Sequence, residues 1–195
     1  MFFKGATTIC ASKYFDSKQM IKLYQKGVVH FGENRAQDLL KKQEILHDLP
    51  IIWHFIGHLQ TNKVKDMINQ IDYLHTLDRM SLADSIEKYR LTPLQCFIQV
   101  NLTDESQKSG INPDNLAQFL IEIKKYDKIE IIGLMTIGKD HDPEITEKAF
   151  QSLNHLATLH GLKEKSMGMS DDYEIALKHG ATYIRLGRKF KELLE

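Results

Sequence analysis

Cysteine is nearly absent: Cys10 and Cys96 are the two in 195 residues. Both lie inside apolar segments, and no C-x-x-C pair occurs. That argues against a disulfide frame or a structural zinc and fits a reducing compartment, so a cytoplasmic protein is expected. Charge of either sign is not in surplus, since 26 Lys plus Arg balance 26 Asp plus Glu. A neutral chain without a basic stripe carries no general field toward nucleic acid or an acidic membrane surface, which leaves only a local basic site. Long apolar runs are missing too. No window approaches the ~18–20 apolar residues of a membrane helix, and MFFKGATTIC has too short an apolar run and no small-residue cleavage pattern for a signal peptide. There is no linker rich in Pro, Gly or Ser and no low-complexity tract. Residues 1–195 therefore read as a single domain, and 42% hydrophobic residues suffice for one core.

What is present is alternation. Eight strand-like segments, ATTICAS (6–12), GVVHFG (27–32), IIWHFIG (51–57), IDYLHT (71–76), QCFIQVN (95–101), IEIIGLMT (129–136), LKEKSMG (162–168) and TYIRLG (182–187), are separated by helical patterns. The seventh is the weakest, because Lys163, Glu164 and Lys165 interrupt it. Met20, Ile21, Leu23 and Tyr24 recur at helical spacing, as do Leu82, Ile86 and Tyr89, and Leu116, Phe119, Leu120 and Ile123. Met20, Tyr24, Leu39, Leu40, Leu120 and Leu156 are expected in the core. Gly27, Gly161 and Gly180 follow helical stretches, while Pro113 and Pro143 stand near helix starts. Such alternation implies right-handed parallel βαβ units, and eight of them suit a closed (β/α)8 barrel of the TIM type.

In such a barrel chemistry gathers at the C-terminal strand ends. The first strand ends in Ser12-Lys13, and a lysine there is either solvated punctuation or an amine held at the mouth of a site. Ser170-Asp171-Asp172-Tyr173 opens a helix, so Ser170 reads as its N-cap. Gly168 lets the backbone approach closely. That stretch reads equally as an ordinary capped helix and as an anion site. Gly187 and Arg188 repeat the offer at the start of the last helical segment, beside the strand-seven end, where barrels often bind phosphate. Arg185 alternates with Ile184 and Leu186, which directs it toward the mouth, where it needs a partner. A buried arginine, a phosphate cradle and a strand-end lysine together meet the demands of pyridoxal 5'-phosphate. An arginine facing the ring nitrogen disfavours its protonation, which suits holding the cofactor better than driving carbanion chemistry.

The segments ASKYF, HFGENRAQDLLKK, WHFIGHLQTNK, QVNLTDESQKSGI, GLMTIG, SMGMSDDYEIALKHGAT and IRLG closely resemble the YggS/PROSC family of pyridoxal-phosphate-binding proteins. The resemblance implies a single barrel like the N-terminal domain of alanine racemase. It implies Lys13 as the Schiff-base lysine, Asn34 in the cofactor pocket, Arg185 as the ring-nitrogen partner, and Ser170, Gly187 and Arg188 as phosphate contacts. Ser166, His54 and Met135 resemble other pocket-lining positions. The implied function is non-catalytic holding and supply of the cofactor inside the cell, with influence on amino-acid metabolism. The implied partners are the cofactor and pyridoxal-phosphate-dependent apoenzymes, and a monomer is expected. The sequence departs from the family in lacking a helix before the first strand, in ending in RKFKELLE, in Lys165 and in Arg188, where many members carry a small hydroxyl residue.

His54 reads equally as a satisfied core histidine and as a cofactor neighbour. The remaining histidines show no H-E-x-x-H or close ligand cluster. The loop NLTDESQKSG, with Glu105 and Lys108, is either a lid or a solvated loop. The alternative function is an amino-acid racemase, which needs a second acid/base opposite the lysine, a role that a dimer could fill with Tyr14 or Tyr173 in trans. A plain phosphate-ligand barrel, with Lys13 in a salt bridge, is a further alternative.

Overall fold

The structure is a computed structural model that describes residue 3, residues 5–103 and residues 109–195. Glu105 and Lys108 of the expected lid lie outside the described residues. Eight parallel strands close into a barrel in sequence order, β1 Thr7–Ala11, β2 His30–Glu33, β3 Ile52–Phe55, β4 Tyr73–Leu77, β5 Leu94–Gln99, β6 Ile129–Met135, β7 Glu164–Ser166 and β8 Tyr183–Leu186. They fall on the eight predicted segments, with β2, β4 and β5 running one residue beyond an end. Closure is made by β1 against β8, in a register that pairs Ile9 with Arg185 and Cys10 with Leu186. The lysine-interrupted β7 has three residues and meets β8 through one pair, Ser166 with Tyr183.

Helices α1 Ser17–Gln25, α2 Ala36–Ile45, α3 Thr61–Met67, α4 Met80–Tyr89, α5 Leu116–Glu122, α6 Pro143–Leu159 and α7 Tyr173–Lys178 follow the first seven strands, and a 3-10 segment, Arg188–Leu193, follows the eighth. The starts are chemically set. Asp16 caps α1 in a reciprocal box with Gln19, and Asp142 accepts from Ile145 N–H ahead of Pro143 at the start of α6. α6 then buries Thr146, Ala149, Phe150, Leu153 and Ala157, a stripe at helical spacing. Full burial of a side chain such as Phe150 contributes about 1.5–3 kcal/mol. Gly27, Gly161 and Gly180 end α1, α6 and α7 with φ of +89°, +68° and +79°, which L side chains rarely adopt.

The core is a layer between barrel and helices in which Leu74, Leu134, Ile184 and Leu186 meet Leu39, Ile86 and Phe150. Met20 and Leu39 are buried as expected, whereas Tyr24, Leu40, Leu120 and Leu156 are half-buried. Among the described residues no helix is long and apolar enough to cross a membrane.

Candidate functional site at the barrel mouth

Strand β1 hands over to a 3-10 turn, Ser12–Tyr14, that carries Lys13 at the mouth. The lysine is exposed, with Nζ 5.0 Å from the centroid of the Tyr14 ring. Beneath it the turn is clamped. Glu33, fully buried at the end of β2, receives Lys42 from α2, and its carboxylate lies 2.8 Å from Ser12 Oγ. Lys42 Nζ also donates to Ser12 O at 2.7 Å, and Asn34 N–H donates to Glu33 Oε2 at 3.1 Å. One buried ion pair thus fixes both the Lys13 turn and the backbone of Asn34. Because Gly32 faces Ile9 inside the barrel, Glu33 on the opposite parity faces α2.

On the adjoining side of the mouth stand β7 and β8. Arg185 is buried within the barrel, donating from Nη1 to Ser166 Oγ at 2.6 Å and from Nη2 to Thr136 O at 3.0 Å. Both acceptors are neutral, and no carboxylate of the described residues lies within ion-pair reach of it. Burial lowers its pKa to about 10, with Asp172 opposing from farther away. Gly187 N–H donates to Ser170 Oγ at 3.3 Å. Gly187 must lack a side chain, because a Cβ there would fall 2.2 Å from the Tyr14 ring, which lies over it. The aromatic pair after Lys13 therefore has two tasks: Tyr14 covers Gly187 and Phe15 enters the core.

One expectation for this side is corrected. Ser170 is not the N-cap of α7: the helix begins at Tyr173, and Asp172 holds the cap position with its Oδ1 taking Met169 N–H at 2.5 Å. That local turn delays the helix and frees the Ser170 hydroxyl for Gly187. The close approach at Gly168 (φ +95°) is toward α7, since a Cβ would meet that of Ala176 at 2.6 Å. Arg188, largely exposed, is paired with Asp171, an arrangement that stabilises little in water.

Below Arg185 the barrel interior is polar. His75 Nδ1 lies 2.8 Å from Ser166 Oγ, His54 Nδ1 lies 3.0 Å from His75 Nε2, and His30 Nδ1 lies 2.9 Å from His54 Nε2. His54 stacks on Tyr73 and His75 on Phe97, at centroid distances of 4.5 and 4.4 Å. Burial holds both imidazoles well below their usual pKa, and that of half-buried His30 below it as well. His54 is thus a satisfied interior histidine, hydrogen-bonded through both ring nitrogens. Among the described residues no group of three or more His, Cys, Asp or Glu is arranged to hold a metal.

A cavity of about 230 Å³ opens on the far side of the mouth, lined by Asn34, Gly57, Thr76, Gln99, Asn101 and Thr136 among others. Among the described residues the buried Asn34 Oδ1 finds no hydrogen-bond partner, a cost that a ligand donor would remove. Met135 is fully buried in register with Gln99 and Ser166, and does not line this cavity. The structure therefore brings Lys13, Ser166, Ser170, Arg185, Gly187 and Arg188 to adjoining strand ends, with Asn34 next to them and His54 and Met135 below.

Sequence reasoning missed the roles of Glu33, Lys42 and His75. A signal existed for Lys42, which follows the buried Leu39 by three residues and so lies on the same face of α2. His75, like His54, sits mid-strand among apolar residues.

The sequence model of the family described as alanine racemase, N-terminal domain, matches residues 12–188. The pyridoxal phosphate homeostasis protein of Aquifex aeolicus (strain VF5) is 38% identical over 192 residues, covering 93% of this chain and 84% of that one. The protein of the same name from Escherichia coli (strain K12) is 31% identical over 195 residues, covering 93% and 82%. Among solved structures, PipY of Synechococcus elongatus PCC7942 with PLP bound superposes with a TM-score of 0.87 at 30% identity, covering 95% of this chain and 92% of that one. Its form without PLP gives 0.90 at 31% identity with the same coverage. An alanine racemase of Clostridium difficile 630 shares the fold, with a TM-score of 0.77 at 13% identity over 96% of this chain and 52% of its own.

Proposed function

Since the chain belongs to the alanine racemase N-terminal domain family and, within it, to the pyridoxal phosphate homeostasis proteins, we propose that it holds pyridoxal 5'-phosphate at the barrel mouth and supplies it to apoenzymes in the cell. The observation that carries this reading is Arg185, a buried cation held by neutral acceptors at the inner edge of the mouth. The residues present fit the cofactor. Asn34 Oδ1 is a buried acceptor in want of a donor, and the Ser170, Gly187 and Arg188 cluster offers a hydroxyl, a backbone N–H and a guanidinium to a phosphate. When bound, the cofactor supplies an aldehyde and an electron-withdrawing ring.

Lys13 offers its amine to the aldehyde, and the Glu33–Lys42 pair holds its turn in place. Arg185 would stand against the ring edge as a fixed cation, where it would oppose protonation of the ring nitrogen and keep the electron sink weak. Ser170 and Arg188, now on Gly187 N–H and Asp171, would hold the phosphate. Ser166 holds Arg185 from within the barrel, with Met135 beside it in register.

We read the chain as a carrier and not a racemase. Tyr173 is buried with its hydroxyl donated to Glu174 at 2.8 Å, and Tyr14 lies across Gly187, so neither is poised as a second acid/base. Borohydride reduction of the loaded protein with peptide mapping tests the reading. A phosphopyridoxyl group on Lys13, absent in Lys13→Ala, supports it, and labels scattered over surface lysines in both proteins refute it. Exchange of the α-proton of alanine in deuterated water, faster than with free cofactor, would restore the racemase.

A further inference from the structure

His30, His54, His75 and Ser166 form one unbranched file of hydrogen bonds from the lower end of the barrel, where β2 begins, to Arg185 at the mouth. A neutral imidazole has one donor and one acceptor nitrogen, and burial keeps these rings neutral. The file therefore has two ordered states. In one, Ser166 donates to His75 Nδ1, and each ring carries its proton on Nε2 and points it downward. In the other, every ring carries its proton on Nδ1, and all bonds point up toward Ser166. Any mixed state sets two donors or two acceptors face to face.

The groups around the file do not break this order. Asp72 faces His30, Tyr73 and Tyr183 flank His54 and His75, Glu164 lies toward Tyr183, and Arg185 stands over Ser166 with Asp172 beyond it. His30 is the half-buried member, at the lower end where β2 begins, which makes that ring the outlet. A ligand that seats against Arg185 plugs the mouth, since Ser166 is fully buried and Arg185 nearly so. If its inner atom is a protonated aromatic nitrogen, two like charges meet in a poorly solvated place, and the proton has to leave.

We propose that this file carries the proton that a protonated aromatic nitrogen heterocycle sheds on seating against Arg185 down to solvent at the lower end of the barrel, reversing all three histidine tautomers as it passes. Arg185 Nη1 passes its proton to Ser166 Oγ and takes the ligand's in its place, remaining a cation, while Ser166 passes its own proton to His75 Nδ1. His75 passes its Nε2 proton to His54 Nδ1, His54 passes its Nε2 proton to His30 Nδ1, and His30 releases its Nε2 proton to water. One proton enters and one leaves, and no ring becomes charged at the end. The inference rests on the reading of the site given above and assigns His30, His54 and His75 as positioning and relay residues that touch no cofactor.

The test uses the full chain labelled with 15N in histidine, with ring-nitrogen shifts recorded before and after addition of pyridoxal 5'-phosphate and the Lys13 adduct scored on the same sample. Three Nε2–H rings turning together to Nδ1–H is the expected result. Rings of mixed sense, or rings unchanged while Lys13 is labelled, overturn the file and leave the cofactor reading intact. Unchanged rings without a Lys13 adduct overturn both. His30→Phe supplies a second measurement, because it blocks the outlet far from Lys13. Proton release on mixing, followed with an indicator dye, should slow by about tenfold or more with Lys13 labelling retained, and an unchanged rate overturns the proposal.

Discussion

Between strands and helices, Leu74, Leu134, Ile184 and Phe150 pack as an ordinary apolar layer, while the opposite faces of the same strands bring His54, His75, Ser166 and Arg185 together inside the barrel. The layer stabilises by area removed from water and tolerates no gap. The interior stabilises only if every polar atom is paired, because an unmet buried donor costs about as much as several bonds return. One region holds the apolar contacts and the other the paired polar groups, and a strand's two-residue period keeps them apart.

Substitutions can break this division, and the largest effect is expected in the layer. Phe150→Ala should lower stability by about 3–5 kcal/mol in urea unfolding, from lost transfer energy plus a cavity, with the stoichiometry of bound pyridoxal 5'-phosphate retained while the protein is folded. Loss of binding in the folded variant would show that the layer also shapes the site.

Glu33→Gln lies where the two regions meet. It leaves Lys42 without its carboxylate and should cost about 1–3 kcal/mol, while loosening the Lys13 turn enough to weaken cofactor binding about tenfold, or about 1.4 kcal/mol. A stability loss with unchanged affinity would mean that the clamp does not hold Lys13.

Acid probes the interior alone. Burial depresses the folded-state pKa of His54 and His75, so below the unfolded value of about 6.5 the unfolded chain binds protons that the folded chain refuses. Stability is then full above that pH and falls on acidification, by up to about 1.4 kcal/mol per pH unit for each ring. Equal unfolding midpoints at pH 6.5 and pH 5 would contradict neutral buried rings.

The smallest effect on stability belongs to Lys13→Ala. The side chain is exposed, so less than about 0.5 kcal/mol is expected, with complete loss of the borohydride-trapped adduct. A site residue that costs nothing to remove sharpens the contrast with the interior.

Much of this architecture was legible in the chain. Alternating strand and helix patterns, with glycines at helix ends, determine a parallel barrel because each local choice agrees with the whole. Lys13 and Arg185 could be placed at one mouth because strand ends and strand parity follow from counting. Other features depend on side chains that meet across the barrel. The position of Ser170 turned on whether Asp172 would take Met169 N–H, a competition between neighbouring caps that spacing alone does not rank. The Glu33–Lys42 clamp joins a strand end to a helix, and the histidine file joins β2, β3, β4 and β7. Which residues stand on the inner face of each strand follows from the chain alone, since the backbone has a period of two. Only the closed barrel decided which of them touch, because the register and stagger of eight strands set which inner residues share a level.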